Sequence, residues 1–219
     1  ARQARRAMDS LIMVSNIRPA ILLVVVFVLL TGLLFPLAVL AVGQTLFPHQ
    51  ANGSLVRQNG KVVGSELIGQ SFAGPGWFHP RPSAAGAGYD AGNSSGTNLG
   101  PLSSKLVNGI EDDPSTEADE SYQGVKQLAE QYRKMNGLAQ DATLPSDAVT
   151  RSASGLDPHI SVANAMLQAP RVARERGVPL ESVLAQVRAA TARPFLGVFG
   201  EPAVNVLELN RSLDQERSP

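Results

Sequence analysis

Three histidines, His49, His79 and His159, are the chain's candidates for acid–base chemistry or metal ligation. His159 follows Asp157 by two residues, with Ser152, Ser154 and Ser161 nearby. A serine hydrolase needs a serine, a histidine and a carboxylate in converging geometry, and none of these three serines sits in a Gly-x-Ser-x-Gly elbow. Asp157-Pro158 reads more simply as the N-cap and first residue of a helix. Cysteine is absent, which excludes a thiol nucleophile, a disulfide scaffold and Cys-ligated metal. The remaining His, Asp and Glu residues are scattered without ligand spacing, so no metal site is expected. Gly53 and Gly60-Lys61 faintly resemble a phosphate loop. Six residues separate the glycines where the motif has four, and Val62 stands where it needs Ser or Thr.

The segment Trp77-Phe78-His79-Pro80-Arg81-Pro82-Ser83 combines bulky aromatics, a cation and fixed φ angles. Two roles compete for it. It is a loop pinned to its own core, or it is an anchor for a partner, since Trp and Arg dominate interface energetics. The interface reading names Trp77, Phe78, His79 and Arg81, with Asn98 and Asp157 ordering adjacent backbone. It expects Trp77→Ala and Arg81→Ala to weaken assembly while the isolated domain stays folded.

The elements that position these residues begin with an anchor. Ala20–Val42 is a run of 23 residues without a charge. As a helix it spans roughly 34 Å, enough for a hydrocarbon core of about 30 Å. A signal peptide is the rival reading, but its apolar region is usually about 7–15 residues long. Pro36 is expected to kink the helix. Residues 1–18 carry four Arg against one acid, which places them in the cytoplasm by the positive-inside rule. The expected organisation is a cytoplasmic N-terminus over 1–18, a transmembrane helix over 19–43 and an extracytoplasmic domain over 44–219. Within the span, Thr31, Gly32 and Pro36 are the small, polar or kinking positions, where a second helix could approach closely.

The whole chain has 19 Lys+Arg and 19 Asp+Glu, which excludes the basic surplus of a nucleic-acid binder. Residues 44–219 suffice to bury roughly 70% of their unfolded surface. Leu55–Gln58 and Lys61–Val63 flank Asn59-Gly60, the favoured pair for a type I′ hairpin. Gly69–Pro101 is too rich in Gly, Pro, Ser and Asn for regular structure, yet its aromatics mark it as ordered. Helices are expected over Pro101–Asp113, with Leu102, Leu106, Val107 and Ile110 on one face, and over Ser121–Met135. Two more are expected from Asp157 to a stop at Gly177 and onward from Pro179, the latter with an apolar face of Leu180, Val183, Leu184 and Val187. Glu111–Glu120, with six acids, is a solvated connection, and Val204, Val206 and Leu209 read as a short strand. The fold class is α+β: a single N-terminal transmembrane helix followed by one extracytoplasmic α+β domain.

Five blocks together carry a resemblance. They are FHPRPSAAGAGYD (Phe78–Asp90), SSGTNLGP (Ser94–Pro101), PSDAVTRSASGLDPHIS (Pro145–Ser161), QAPRVARERG (Gln168–Gly177) and GEPAVNVLELNRSLD (Gly200–Asp214). With one span ahead of them, they resemble the C subunit of Kdp-type potassium-transporting ATPases, over about Arg18–Asp214. Residues 1–17 and 111–120 lie outside the pattern, and Arg151 stands where a small residue is expected. The resemblance implies a bacterial inner-membrane complex. Its other members are a channel-like K+-binding subunit, a P-type ATPase subunit that hydrolyses ATP, and a small fourth membrane subunit. The C subunit is then no hydrolase. It assembles the complex and acts as a catalytic chaperone that raises the ATP affinity of the ATPase subunit, while ATP and K+ are handled by the complex. The alternative is a membrane-anchored extracytoplasmic binding module without a transporter partner.

Overall fold

Residues 2–111 and 121–215 are described by the computed structural model, and the acidic connection is thus outside them from 112 to 120. The chain divides into two units at Ser54–Leu55. In the first, helix α1 (Arg2–Leu29) runs through a π-helical turn (Leu30–Leu34) into α2 (Phe35–Leu46). The π turn is how the expected disturbance at Pro36 appears. Proline lacks an N–H, and its ring crowds the carbonyl four residues back, that of Gly32. The wider turn absorbs the mismatch, with the Phe35 N–H reaching the Leu30 carbonyl five residues back. Thr31 Oγ1 donates to the Phe27 carbonyl at 2.7 Å, so its hydroxyl proton is satisfied within the helix. Ser15–Leu46 is long and apolar enough to cross a membrane, and the expected Ala20–Val42 run lies inside it. Its large side chains, from Ile17 to Leu46, are all exposed. A short helix, α3 (Pro48–Ala51), ends this unit.

The second unit opens with the hairpin. Strands β1 (Leu55–Gln58) and β2 (Lys61–Ser65) pair antiparallel, Gln58 opposite Lys61. Asn59 and Gly60 both have positive φ, 51° and 77°, as the primed turn demands. A bulge between Val56 and Arg57 shifts the register.

Residues 69–101 contain no helix or strand, and helix α4 is confined to Ser104–Asn108. This corrects the longer helix expected over Pro101–Asp113. Gly109, at φ 77°, ends it, and Leu102 is 99% exposed instead of core-facing. Helix α5 covers Val125–Asn136. Tyr122 precedes it, bridged antiparallel to Ile110. After the short α6 (Ser146–Val149), a second correction follows. His159–Ser161 is strand β3, and Asp157-Pro158 does not open a helix. Ile160 pairs with Val204, and that distant partner outweighs the local capping signal. Helix α7 (Val162–Arg176) starts instead at the Ser161 cap and stops at Gly177 as expected. Helix α8 (Leu180–Ala189) buries Val183 and Val187. Strands β4 (Thr191–Ala192) and β5 (Ala203–Asn205) complete an antiparallel sheet of order β3-β5-β4. Helix α9 (Val206–Gln215) takes Val206 and Leu209, so the expected strand ends at Asn205.

One core joins these elements. Ala165, Ala169, Val172 and Ala173 of α7 face Val183 and Val187 of α8, Leu209 and Leu213 of α9, and Ile160 and Val204 of the sheet. The irregular loop contributes Phe78 to the same cluster. Close backbone packing holds the loop elsewhere. A Cβ on Gly155, at φ 69°, would sit 2.7 Å from both the Ala85 nitrogen and the Ser95 oxygen. Gly155→Ala should therefore cost about 1–3 kcal/mol, read as a lower denaturation midpoint with an unchanged slope.

Candidate functional site

A loop without regular structure must still satisfy its buried backbone groups. Here polar side chains on α7 and α9 do it. Asn210 pairs with Phe78 as a strand neighbour would: Phe78 N–H donates to Asn210 Oδ1 and Asn210 Nδ2 donates to the Phe78 carbonyl, each at 2.9 Å. Gln168 does the same for His79, at 2.8 and 3.0 Å. Arg171, 1% exposed, donates to the carbonyls of Pro75 and Trp77 and to the side chains of Asn136 and Gln168. Arg176 donates to the Gly76 carbonyl at 2.6 Å and to Asp214 at 2.9 Å, while its guanidinium lies 4.5 Å over the Trp77 ring. Five consecutive residues, Pro75–His79, are thus fixed by four side chains.

The next stretch is fixed by charge. Arg81 donates to Asp157 at 3.1 Å and approaches the Arg151 carbonyl at 3.4 Å. Tyr89 OH donates to the Arg81 carbonyl at 2.6 Å, and burial pushes that phenol up to about 12. Ser83 Oγ donates to the Gly155 carbonyl at 2.6 Å. Asp147 accepts from the Ser161 amide and hydroxyl and from Asn164, whose Oδ1 accepts from Tyr132 OH and Gln168. A groove of about 160 Å³ opens beside this network, walled by Phe72, His79, Tyr89, Tyr132, Met135 and Gln168 among others.

Burial pulls His79 below its usual value. The Gly74 carbonyl, 2.9 Å from Nε2, opposes this, and Arg171 adds to the lowering. Burial would raise Asp157, but the neighbouring His159 ring, the hydrogen bond from the His159 amide at 2.9 Å and the one from Arg81 outweigh it and leave the carboxyl below its usual range. A depressed carboxyl pKa stabilises the fold above the unfolded pKa and loses that contribution as pH falls through the folded one. Asp157→Asn should accordingly be less stable than wild type at pH 7 by about 1 kcal/mol, given a partly exposed pair. The two should converge below about pH 4. Melting curves from pH 7 to pH 2 test this, and a gap that persists undiminished at pH 2 contradicts it.

The structure thus brings Trp77, Phe78, His79, Arg81 and Asp157 into one region and leaves Asn98 exposed, at φ 52°. Phe78 corrects the interface expectation. It is fully buried in the core cluster, where no partner can reach it without unfolding the loop. Arg81 and Asp157 spend their charges on each other. Sequence reasoning missed Asn164, Gln168, Arg171 and Asn210. Their signal was present, because each interrupts an otherwise apolar helical face with a polar group. Chemically, the arrangement immobilises backbone. Among the described residues, no group of three or more His, Asp or Glu could hold a metal ion. His159 Nδ1 lies 3.7 Å from Asp157, beyond a good hydrogen bond.

Comparison with known proteins gives consistent results. The family model described as KdpC, K+-transporting ATPase, c chain, matches residues 17–215. The potassium-transporting ATPase KdpC subunit of Caulobacter vibrioides is 51% identical over 208 residues, which is 94% of this chain and 96% of that protein. The subunit of the same name from Caulobacter sp. K31 is 50% identical over 203 residues, 92% and 94% of the two chains. That of Mycobacterium tuberculosis is 48% identical over 197 residues, 90% and 96%.

Proposed function

Because the chain belongs to the KdpC family of K+-transporting ATPase c chains, we propose that it is the non-catalytic subunit that assembles a K+ uptake complex in a bacterial inner membrane. Its partners in this reading are a channel-like K+-binding subunit, a P-type ATPase subunit and a small fourth membrane subunit. Residues 1–18 lie in the cytoplasm, 19–43 in the bilayer and 44–219 outside. The observation that carries the reading is the helix Ser15–Leu46, whose apolar side chains are all exposed and need lipid or other helices to cover them. The Arg excess ahead of it supports the orientation.

Support of ATP hydrolysis then runs through the anchor or the outer surface of the K+-binding subunit, because ATP is on the other side of the membrane from the folded domain. On the helix, Gly32 offers the close approach. A Cβ there meets nothing within 4 Å, whereas Thr31 has turned its hydroxyl inward to Phe27 and Pro36 has set the π turn. Gly32→Leu should lower recovery of the other subunits in mild detergent, with Val25→Leu as the control on another part of the helix. A reporter fused after Pro219 should be active only outside the cytoplasm, and a cytoplasmic signal would refute the topology. ATP photo-crosslinking to residues 44–219 in sealed, oriented membranes would refute the indirect route.

A further inference from the structure

The most exposed cluster of large apolar side chains in the folded unit is not in the loop 69–101 but at the tip of a turn beyond β4. Phe195, Leu196, Val198 and Phe199 are 71%, 75%, 77% and 66% exposed. The turn is well formed. Phe195 and Phe199 exchange both backbone hydrogen bonds, at 2.8 and 2.9 Å, and the Val198 N–H donates to the Phe195 carbonyl. Leu196 and Gly197 take positive φ, 54° and 75°. A leucine in the left-handed region is disfavoured, and here it holds its side chain out into solvent.

Together the four side chains expose on the order of 500 Å² of apolar surface, at the upper end of what a free monomer presents. That is less than the roughly 800 Å² per partner of a stable interface, which argues against a self-sufficient pairing of two copies. A second attachment removes the difficulty. Only eight residues separate Leu46 of the apolar helix from Leu55 of the hairpin, so the folded unit is tethered to whatever holds the helix. A small contact suffices when the other attachment has already brought the partners together. The occupant is therefore held in the same membrane. Charge decides between lipid and protein. A lipid-seeking loop carries a basic rim. This one has Arg193 before it and Glu201 after it, and Arg188 lies 3.9 Å from Glu181. A narrow tip with a charge-balanced rim fits a concave, uncharged pocket.

Resting on the subunit reading above, we propose that the apolar tip Phe195–Phe199 is the knob that docks this domain into an uncharged apolar pocket on a membrane-embedded subunit of the K+-transporting ATPase complex. The experiment co-expresses the full chain with the other subunits and compares wild type, the double variant Phe195→Ser/Phe199→Ser, and Leu102→Ser, a control at an isolated exposed site. The double variant should keep the wild-type melting temperature and lose roughly tenfold or more in recovered subunits, with the control unaffected. A photo-crosslinking residue in place of Phe195 should attach to a membrane subunit. Unchanged recovery with the double variant overturns the proposal. So does crosslinking to a second copy of this chain, or binding to phosphatidylcholine–phosphatidylglycerol vesicles that the double variant abolishes while recovery stays intact. If wild type itself recovers no subunits, the subunit reading fails as well, and the two failures are told apart by that wild-type lane.

Discussion

Phe78→Ala is expected to lower the stability of the folded domain by about 3–5 kcal/mol, the range for truncating a fully buried aromatic. Phe78 is 0% exposed and belongs to the cluster that joins α7, α8, α9 and the sheet. Its backbone is clamped by Asn210, so the loop cannot slide to fill the space. For a domain of this size that corresponds to a fall in melting temperature of roughly 6–20 °C. Differential scanning calorimetry of the domain freed from its anchor measures it. The same variant in the full complex distinguishes core from interface. A core residue destabilises the domain yet permits assembly in the cold. Normal melting with collapsed subunit recovery would put Phe78 at an interface and overturn its placement.

Arg171→Met should be as damaging, at about 3 kcal/mol or more. It leaves the Pro75 and Trp77 carbonyls and the Asn136 side chain without their donor and takes from Gln168 one of its two, and each buried unsatisfied group costs about 1–3 kcal/mol. Burial draws the Arg171 guanidinium below its usual pKa, opposed by Tyr132 and Glu175, yet it remains a charged donor at neutral pH. Arg171→Lys keeps the charge but cannot span four acceptors with one ammonium, so it should recover only part of the loss. Urea denaturation of the three proteins provides the ranking. Equal stability of Met and wild type would mean that the loop is held chiefly by Phe78 and Asn210. Both predictions assign loop 69–101 an internal role, which leaves partner contact to surfaces that the fold does not use.

The sequence was most informative where structure depends on neighbours. Asn59-Gly60 specified its hairpin because positive φ at both positions is a local preference, and Gly177 ended α7 for the same reason. It was least informative for the segment Val204–Leu209. Alternating apolar residues favoured a strand, but only the first part pairs. Asn205 then turns its side chain to accept from the Glu208 N–H and donate to the Glu66 carbonyl, starting α9. Asp157-Pro158 misled in the opposite direction. A good local cap was used to order His159 and hold Arg81, while Ile160 joined the sheet.

By itself, then, the sequence determined the long apolar helix, the hairpin, the ordered aromatic loop and membership of a family whose blocks keep their order. Each is written in a contiguous run or in a residue's own backbone preference. Only the tertiary structure decided which loop residues face inward. Phe78 and Arg171 stand 93 positions apart, and the clamp on Phe78 comes from Asn210, 132 positions away. No local pattern encodes which of Trp77, Phe78 and the Phe195–Phe199 tip will find a hydrophobic partner within the chain. Burial depends on which apolar faces meet once helices and sheet pack, and the core closes around Phe78 while leaving that tip in solvent.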